Sequence, residues 1–328
     1  MTDTIDSLLR DLGDRDRGRR AAAEDSLVAL GGEAVDHLLP LLAAPRGGSR
    51  ALRAQSALSR IGDAAVTRLR EIRAHGPGNL RRVALRLLAD LRGEEGFIPA
   101  DRRALDRLVR LKLRSERPVT LPPDSHWLAF PADGLAGVVS ALTLHDLRPV
   151  TTVMGLSAAE GASARDAVEV TVAPGRQETA HRVFITPQFG AWRLLYGNSY
   201  LDAYSGERIA QTVSATCGEA HFYRVDVYHD LHAWCVARDG DVIRRHSGGT
   251  PATWHGDPLP FELDYIEGRA WIDPSQCGPL GVTDANVAAH HLSVDVGYMP
   301  ADITQEHGWL ATTHPEAPNS RFPGALPV

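Results

Sequence analysis

Lysine is almost missing from this chain. Lys112 stands alone against 34 arginines. With alanine abundant, that bias reads as the codon usage of a GC-rich genome rather than selection for guanidinium chemistry. Cysteine is scarce as well. Cys217, Cys235 and Cys277 are widely and unevenly spaced, which excludes a disulfide framework and a CxxC metal knuckle. No run of about 18 apolar residues occurs, so no bilayer-spanning helix is expected. The first twenty residues carry several acids and lack the apolar centre of a signal peptide, so a cytoplasmic protein with reduced thiols is the expectation. Also absent are GxSxG, GxxxxGK[ST], a GxGxxG after a strand, HExxH and an EF-hand loop. Their absence weakens an enzyme reading without excluding one.

What is present suits two globular domains. The 328 residues are 43% apolar and 23% charged, too many for one typical domain. Residues 1–116 hold 22 basic and 17 acidic side chains, net +5, and residues 117–328 hold 13 and 24, net −11. The change of sign marks two separately built halves. The boundaries that follow are a helical domain at 1–116, a proline-bearing linker at 117–125, an α+β domain at 126–314 and a flexible tail at 315–328.

The first third repeats itself. Residues 19–42 match residues 50–73 at an offset of 31, pairing Ala23 with Ala54, Leu27 with Leu58, Leu30 with Ile61, Gly31 with Gly62, Val35 with Val66 and Leu38 with Leu69. A third copy starts at residue 80, with Ala84, Leu88 and Leu91 in the same slots. Within each copy the apolar positions recur at three and four, the period of a helix with one buried stripe. A glycine after each first helix suits a left-handed helix stop. This Arg-Arg-x-Ala-x-x-x-Leu, Leu-Gly, Ala-Val-x-x-Leu pattern resembles HEAT repeats, the armadillo-like α-solenoids, over about residues 4–115. The resemblance implies an all-α solenoid of about three repeats that presents a surface to another protein. Arginines 50, 53, 60, 81, 82 and 86 on first helices, and 68, 70 and 73 on a second, open a nucleic-acid reading. Interleaved acids oppose it.

From Trp127 the texture changes to short apolar strands, expected near 126–130, 149–154, 167–173, 181–186, 191–196, 220–228, 232–238 and 241–246. The last three make a meander turned by Asp239–Gly240. Helices are expected at 133–144, 204–217 and 284–292, and a long Gly/Pro-rich loop at 247–281 with one short helix around 261–266. The fold class is therefore an all-α repeat domain followed by an α+β domain with a mixed or antiparallel sheet.

Ligand-type side chains are densest at His221, His229, Asp230 and His232. They suit general acid–base work, and His229 with His232 suits a metal; solvated residues on a hairpin tip are the bland alternative. Cys277 is the one thiol placed in a loop where a nucleophile is reachable, with His255 and His290 as possible bases. Tyr200, Asp202 and Tyr204, between a strand and a helix, and Trp254 in the long loop, form candidate binding residues because tyrosine and tryptophan anchor interfaces. No cofactor is expected. The leading expectation is a non-catalytic interaction or adaptor protein whose acidic domain takes a basic protein or peptide, in the manner of an immunity protein. An enzyme centred on His221, His229 and His232 is the alternative, and nucleic-acid binding by the arginines the third. Neither nucleic acid nor a membrane is the expected partner.

Overall fold

Apolar residues three and four apart along the first third build helices that each bury one stripe. The helices are α1 (Thr2–Asp11), α2 (Arg17–Ala29), α3 (Val35–Ala43), α4 (Gly48–Ile61), α5 (Asp63–His75), α6 (Gly78–Arg92) and α7 (Pro99–Leu113). The structure is a computed structural model that describes residues 2–43, 48–116, 120–160, 165–202, 205–249, 251–297 and 307–324. It divides into two compact units, Met1–Asp106 and Arg107–Phe322. The division falls inside α7, ahead of the proline-bearing stretch where the linker was expected; Arg117, Pro118 and Val119 of that stretch lie outside the described residues.

In the helical unit, positions 31 apart occupy matching places in one core. Ala23 and Ala54, Leu27 and Leu58, Val35 and Val66, and Leu38 and Leu69 are all buried. After α2, α4 and α6 the chain turns at Gly31, Gly62 and Gly93, with φ of +58°, +60° and +55°. Only a residue without Cβ adopts that backbone freely, which is why glycine recurs there. Most of the arginines considered for phosphate are already engaged. Arg60 pairs with Glu24 and Asp25, Arg68 with Asp36 and Glu71, and Arg73 with Asp101, while Arg50 and Arg70 donate to main-chain carbonyls.

The second unit is built on an antiparallel sheet, which resolves the mixed-or-antiparallel alternative. Its strands are β1 (His126–Pro131), β2 (His145–Val150), β3 (Ala167–Ala173), β4 (Arg176–Ile185), β5 (Trp192–Tyr196), β6 (Glu219–Asp226), β7 (Leu231–Arg238), β8 (Asp241–Ser247), β9 (Thr253–His255) and β12 (Gly308–Thr312). They run in the order β2-β12-β4-β5-β1-β6-β7-β8-β9, with β3 paired to β4. β10 (Cys277–Gly278) and β11 (Gly281–Val282) make a separate two-stranded ladder. The β6–β7–β8 meander turns at Asp239 and Gly240, both with positive φ, as the Asp-Gly pair requires.

Alternation along the strands sorts the core into two layers. Leu128, Phe130, Leu195, Phe222, Cys235 and Ala237 pack with Val138, Ile209 and Val213 of α8 (Leu135–Ala141) and α10 (Gly206–Cys217). The opposite face carries α9 (Thr152–Ala159) over β4 and β12, and α12 (Ala285–Leu292) over β6 and β7. Across that face, register partners form one aromatic row, Phe184–Tyr196–Trp127–Tyr223–Trp234–His246–Trp254. The Trp127 and Tyr223 rings stack at 5.2 Å.

Three expectations are corrected. The strand expected at 149–154 is instead the end of β2 followed by α9, because the Thr151 hydroxyl accepts the Met154 amide and caps a helix. The tail expected at 315–328 is packed through Phe322. Ala317 and Phe322 fill a cluster with Val170 and Ala180, the Asn319 amide donates to Asp146, and Arg182 lies over the Phe322 ring. Residues 325–328 lie outside the described residues. The stretch 247–281 holds the short helix expected around 261–266, α11 (Pro260–Ile266), but also β9 and the β10–β11 ladder where only loop was expected. A buried ion pair ties it down. Arg244 donates to both Glu262 oxygens at 2.9 and 3.0 Å and to the carbonyls of Gly256 and Leu280, while Glu262 accepts the amides of Leu259 and Val282. Among the described residues, no single helix is long and apolar enough to cross a membrane.

Candidate functional site

The loop from β5 to α10 must pass close over the sheet, and Gly197 permits it. A Cβ there would press against Val183 and Tyr200. Leu201 is fully buried and pins the loop, and the Asp202 carboxylate accepts the Ser205 amide to turn the chain into α10. The result is a cleft of about 390 Å³ lined by Leu142, Thr143, His181, Tyr200, Asp202 and Arg208, among others. Its floor is aromatic, with the His181 and Tyr200 rings 5.6 Å apart. Burial lowers the His181 pKa and raises that of Tyr200, so both are neutral near pH 7. One carboxylate and one guanidinium lie on the lining. Such a cleft accepts a side chain or a short chain segment through apolar contact and directed hydrogen bonds. Tyr200 and Asp202 come together as expected; Tyr204 lies outside the described residues. Trp254 is elsewhere, under the Arg244 guanidinium at 4.5 Å from its ring centroid.

The histidines on β6 and β7 do not converge. His229 is exposed at the hairpin tip, where its Nδ1 meets Asp226 at 2.8 Å. Asp230 sits beside it at φ +47°, a turn position. His232 turns toward α12, where its Nδ1 accepts the Ala285 amide near Asp284. Among the described residues no three His, Cys, Asp or Glu side chains are placed to hold a metal. Cys277 is no better placed as a nucleophile. Burial raises its thiol pKa, and the suggested bases are committed, His255 facing the Val242 carbonyl and His290 facing Asp295.

His221 behaves differently. It is 1% exposed, burial keeps its ring neutral, and a neutral ring fixes the direction of every hydrogen bond in the line it belongs to. A carboxylate can only accept, so His221 Nε2–H donates to Glu219 at 3.0 Å. Nδ1 then accepts from the Tyr223 hydroxyl at 3.2 Å, and Tyr223 accepts from Ser293 Oγ at 3.0 Å. Arg238 donates twice to Glu219 and fixes the far end. Burial lowers the His221 pKa and keeps it a neutral acceptor, whereas the His221 hydrogen bond holds Glu219 ionised below its usual range.

Comparison with protein-family models, with curated proteins and with solved structures finds no match.

Sequence reasoning found His221 but not Tyr223, Ser293, His181 or Arg208. Glu219, His221 and Tyr223 stand two apart on β6, and that alternation was a signal for one shared face. Ser293 and His181 arrive from distant elements and leave no local trace.

His246 gives a test of the aromatic face. It is 3% exposed, neither ring nitrogen has a partner among the described residues, and burial with His232 and Arg244 nearby brings its pKa down to about 4. The unfolded chain binds this proton near pH 6.5, so stability is full above pH 6.5 and falls as pH drops toward 4. Melting temperature against pH should show that loss, and His246→Phe should flatten it. An unchanged slope in the variant would remove His246 as the cause.

Proposed function

We propose that this chain recognises a basic protein or peptide. In this reading the helical unit is a HEAT-like solenoid, supported by the left-handed glycines at 31-residue intervals and the matched core positions. The sheet unit supplies the specific contact. The observation that carries the reading is the Tyr200 cleft, an aromatic-floored depression with Asp202 on its lining, in a half of the chain with net charge −11. Because the solenoid arginines are largely held by acids and carbonyls, nucleic acid is not the partner in this reading.

The test is selection of a randomised peptide library on the full chain. Enrichment of basic peptides is expected, with Tyr200→Ala weakening them by about tenfold, the scale of an interface anchor. Tyr228→Ala, an exposed tyrosine on the β6–β7 tip, should leave them unchanged. No enrichment, or equal loss in both variants, would overturn the reading.

A further inference from the structure

The Glu219–His221–Tyr223–Ser293 line ends at the hydroxyl of a residue that is only partly buried, and recognition of a partner does not use it. Ser293 follows the last turn of α12 and is only partly buried, whereas Tyr223 and His221 behind it are sealed by the stacked Trp127 and by Trp192, whose ring centroid lies 4.7 Å from that of His221. Each link has one direction. Ser293 donates to Tyr223, Tyr223 to His221, and His221 to a carboxylate already neutralised by Arg238. That is the arrangement of an activated alcohol with a buried base and an orienting acid, with a phenol inserted between alcohol and imidazole.

A second observation lies on the same sheet face. Trp127, beside Tyr223 in the aromatic row, and Tyr196, one strand further along it, are fully buried, and among the described residues Trp127 Nε1 and Tyr196 Oη have no hydrogen-bond partner. Buried polar groups left unpaired are few in folded proteins and costly, and a catalytic role is one of the causes that keeps them.

We propose that Ser293 is a nucleophile for acyl transfer from a carboxylic ester, with Tyr223 and His221 relaying its proton. Ser293 Oγ attacks the ester carbonyl carbon. Its proton passes to the Tyr223 oxygen as the Tyr223 proton passes to His221 Nδ1, leaving an imidazolium against Glu219. The carbon–oxygen bond to the leaving alcohol breaks, and the proton returns along the same line to that alkoxide. Water then attacks the Ser293 ester by the same relay and releases the carboxylic acid. Ser293 is the catalytic residue; Tyr223 touches it directly, and His221 and Glu219 are positioning residues.

The test uses a fluorophosphonate probe on the full chain, read by intact mass and peptide mapping. One adduct is expected, on Ser293, and none in Ser293→Ala. Tyr223→Phe keeps the ring stacked on Trp127 but removes the relay oxygen, and should slow labelling at least tenfold at a temperature where circular dichroism shows the variant folded. Glu219→Gln should move the pH midpoint of labelling downward, because the imidazolium loses its carboxylate while Arg238 remains; a merely structural Glu219 would not move it. Absence of an adduct on folded protein, an adduct that survives Ser293→Ala, or full-rate labelling of Tyr223→Phe would overturn the proposal. None of these outcomes bears on peptide selection at the Tyr200 cleft.

Discussion

Glu262→Ala should lower the stability of the sheet unit by about 3–5 kcal/mol, the cost of stranding a buried charge. Arg244 is 1% exposed and Glu262 wholly buried, so neither can turn to water when its partner is lost. The substitution leaves the guanidinium with only two carbonyls and strips the Leu259 and Val282 amides of their acceptor. Urea unfolding would show the loss as a lower midpoint. The double variant Arg244→Met with Glu262→Leu should recover part of it, because no charge is then buried. It should not recover all, since an unpaired buried amide costs about 1–3 kcal/mol. A double variant no more stable than Glu262→Ala would mean that the pair is not the source of the effect.

Leu58→Ala should cost the helical unit about 2–5 kcal/mol through lost burial and a residual cavity. Leu58 is fully buried on α4, whereas Leu52 on the same helix is 71% exposed. Leu52→Ala should therefore stay within about 0.5 kcal/mol of the parent protein. Equal effects of the two substitutions, measured by thermal unfolding followed in the helical circular-dichroism band, would contradict the assigned face of α4.

These two sites differ in how far the amino-acid order announced them. Leu58 belongs to a pattern written twice, at Leu27 and Leu58, and helical periodicity with a following glycine is local information. The core of the helical unit was legible for that reason. The meander was legible too, because Asp239–Gly240 and the alternation around it act over a few residues. The Arg244–Glu262 pair joins a strand to a helix across a Gly/Pro-rich stretch that carries no periodicity, so apart from the short helix around 261–266 the stretch read as loop. At Thr151, a β-branched run suggested a strand and a hydroxyl cap made a helix; both preferences are weak, and tertiary packing of Met154 and Gly155 decided between them. At the candidate sites, Tyr200, Asp202 and His221 were found by residue type. What each of them touches, His181 in one case and Tyr223 with Ser293 in the other, depends on strand order, which no short window contains.

The placement of the large rings has a spectroscopic consequence. Every tryptophan and tyrosine of the chain lies at or beyond Trp127, and Phe97 is the single phenylalanine before it. Indole emission therefore reports on the sheet unit alone and is blind to melting of the helical unit, which the peptide-bond signal follows. One titration read in both channels would tell whether the two units come apart together or in sequence.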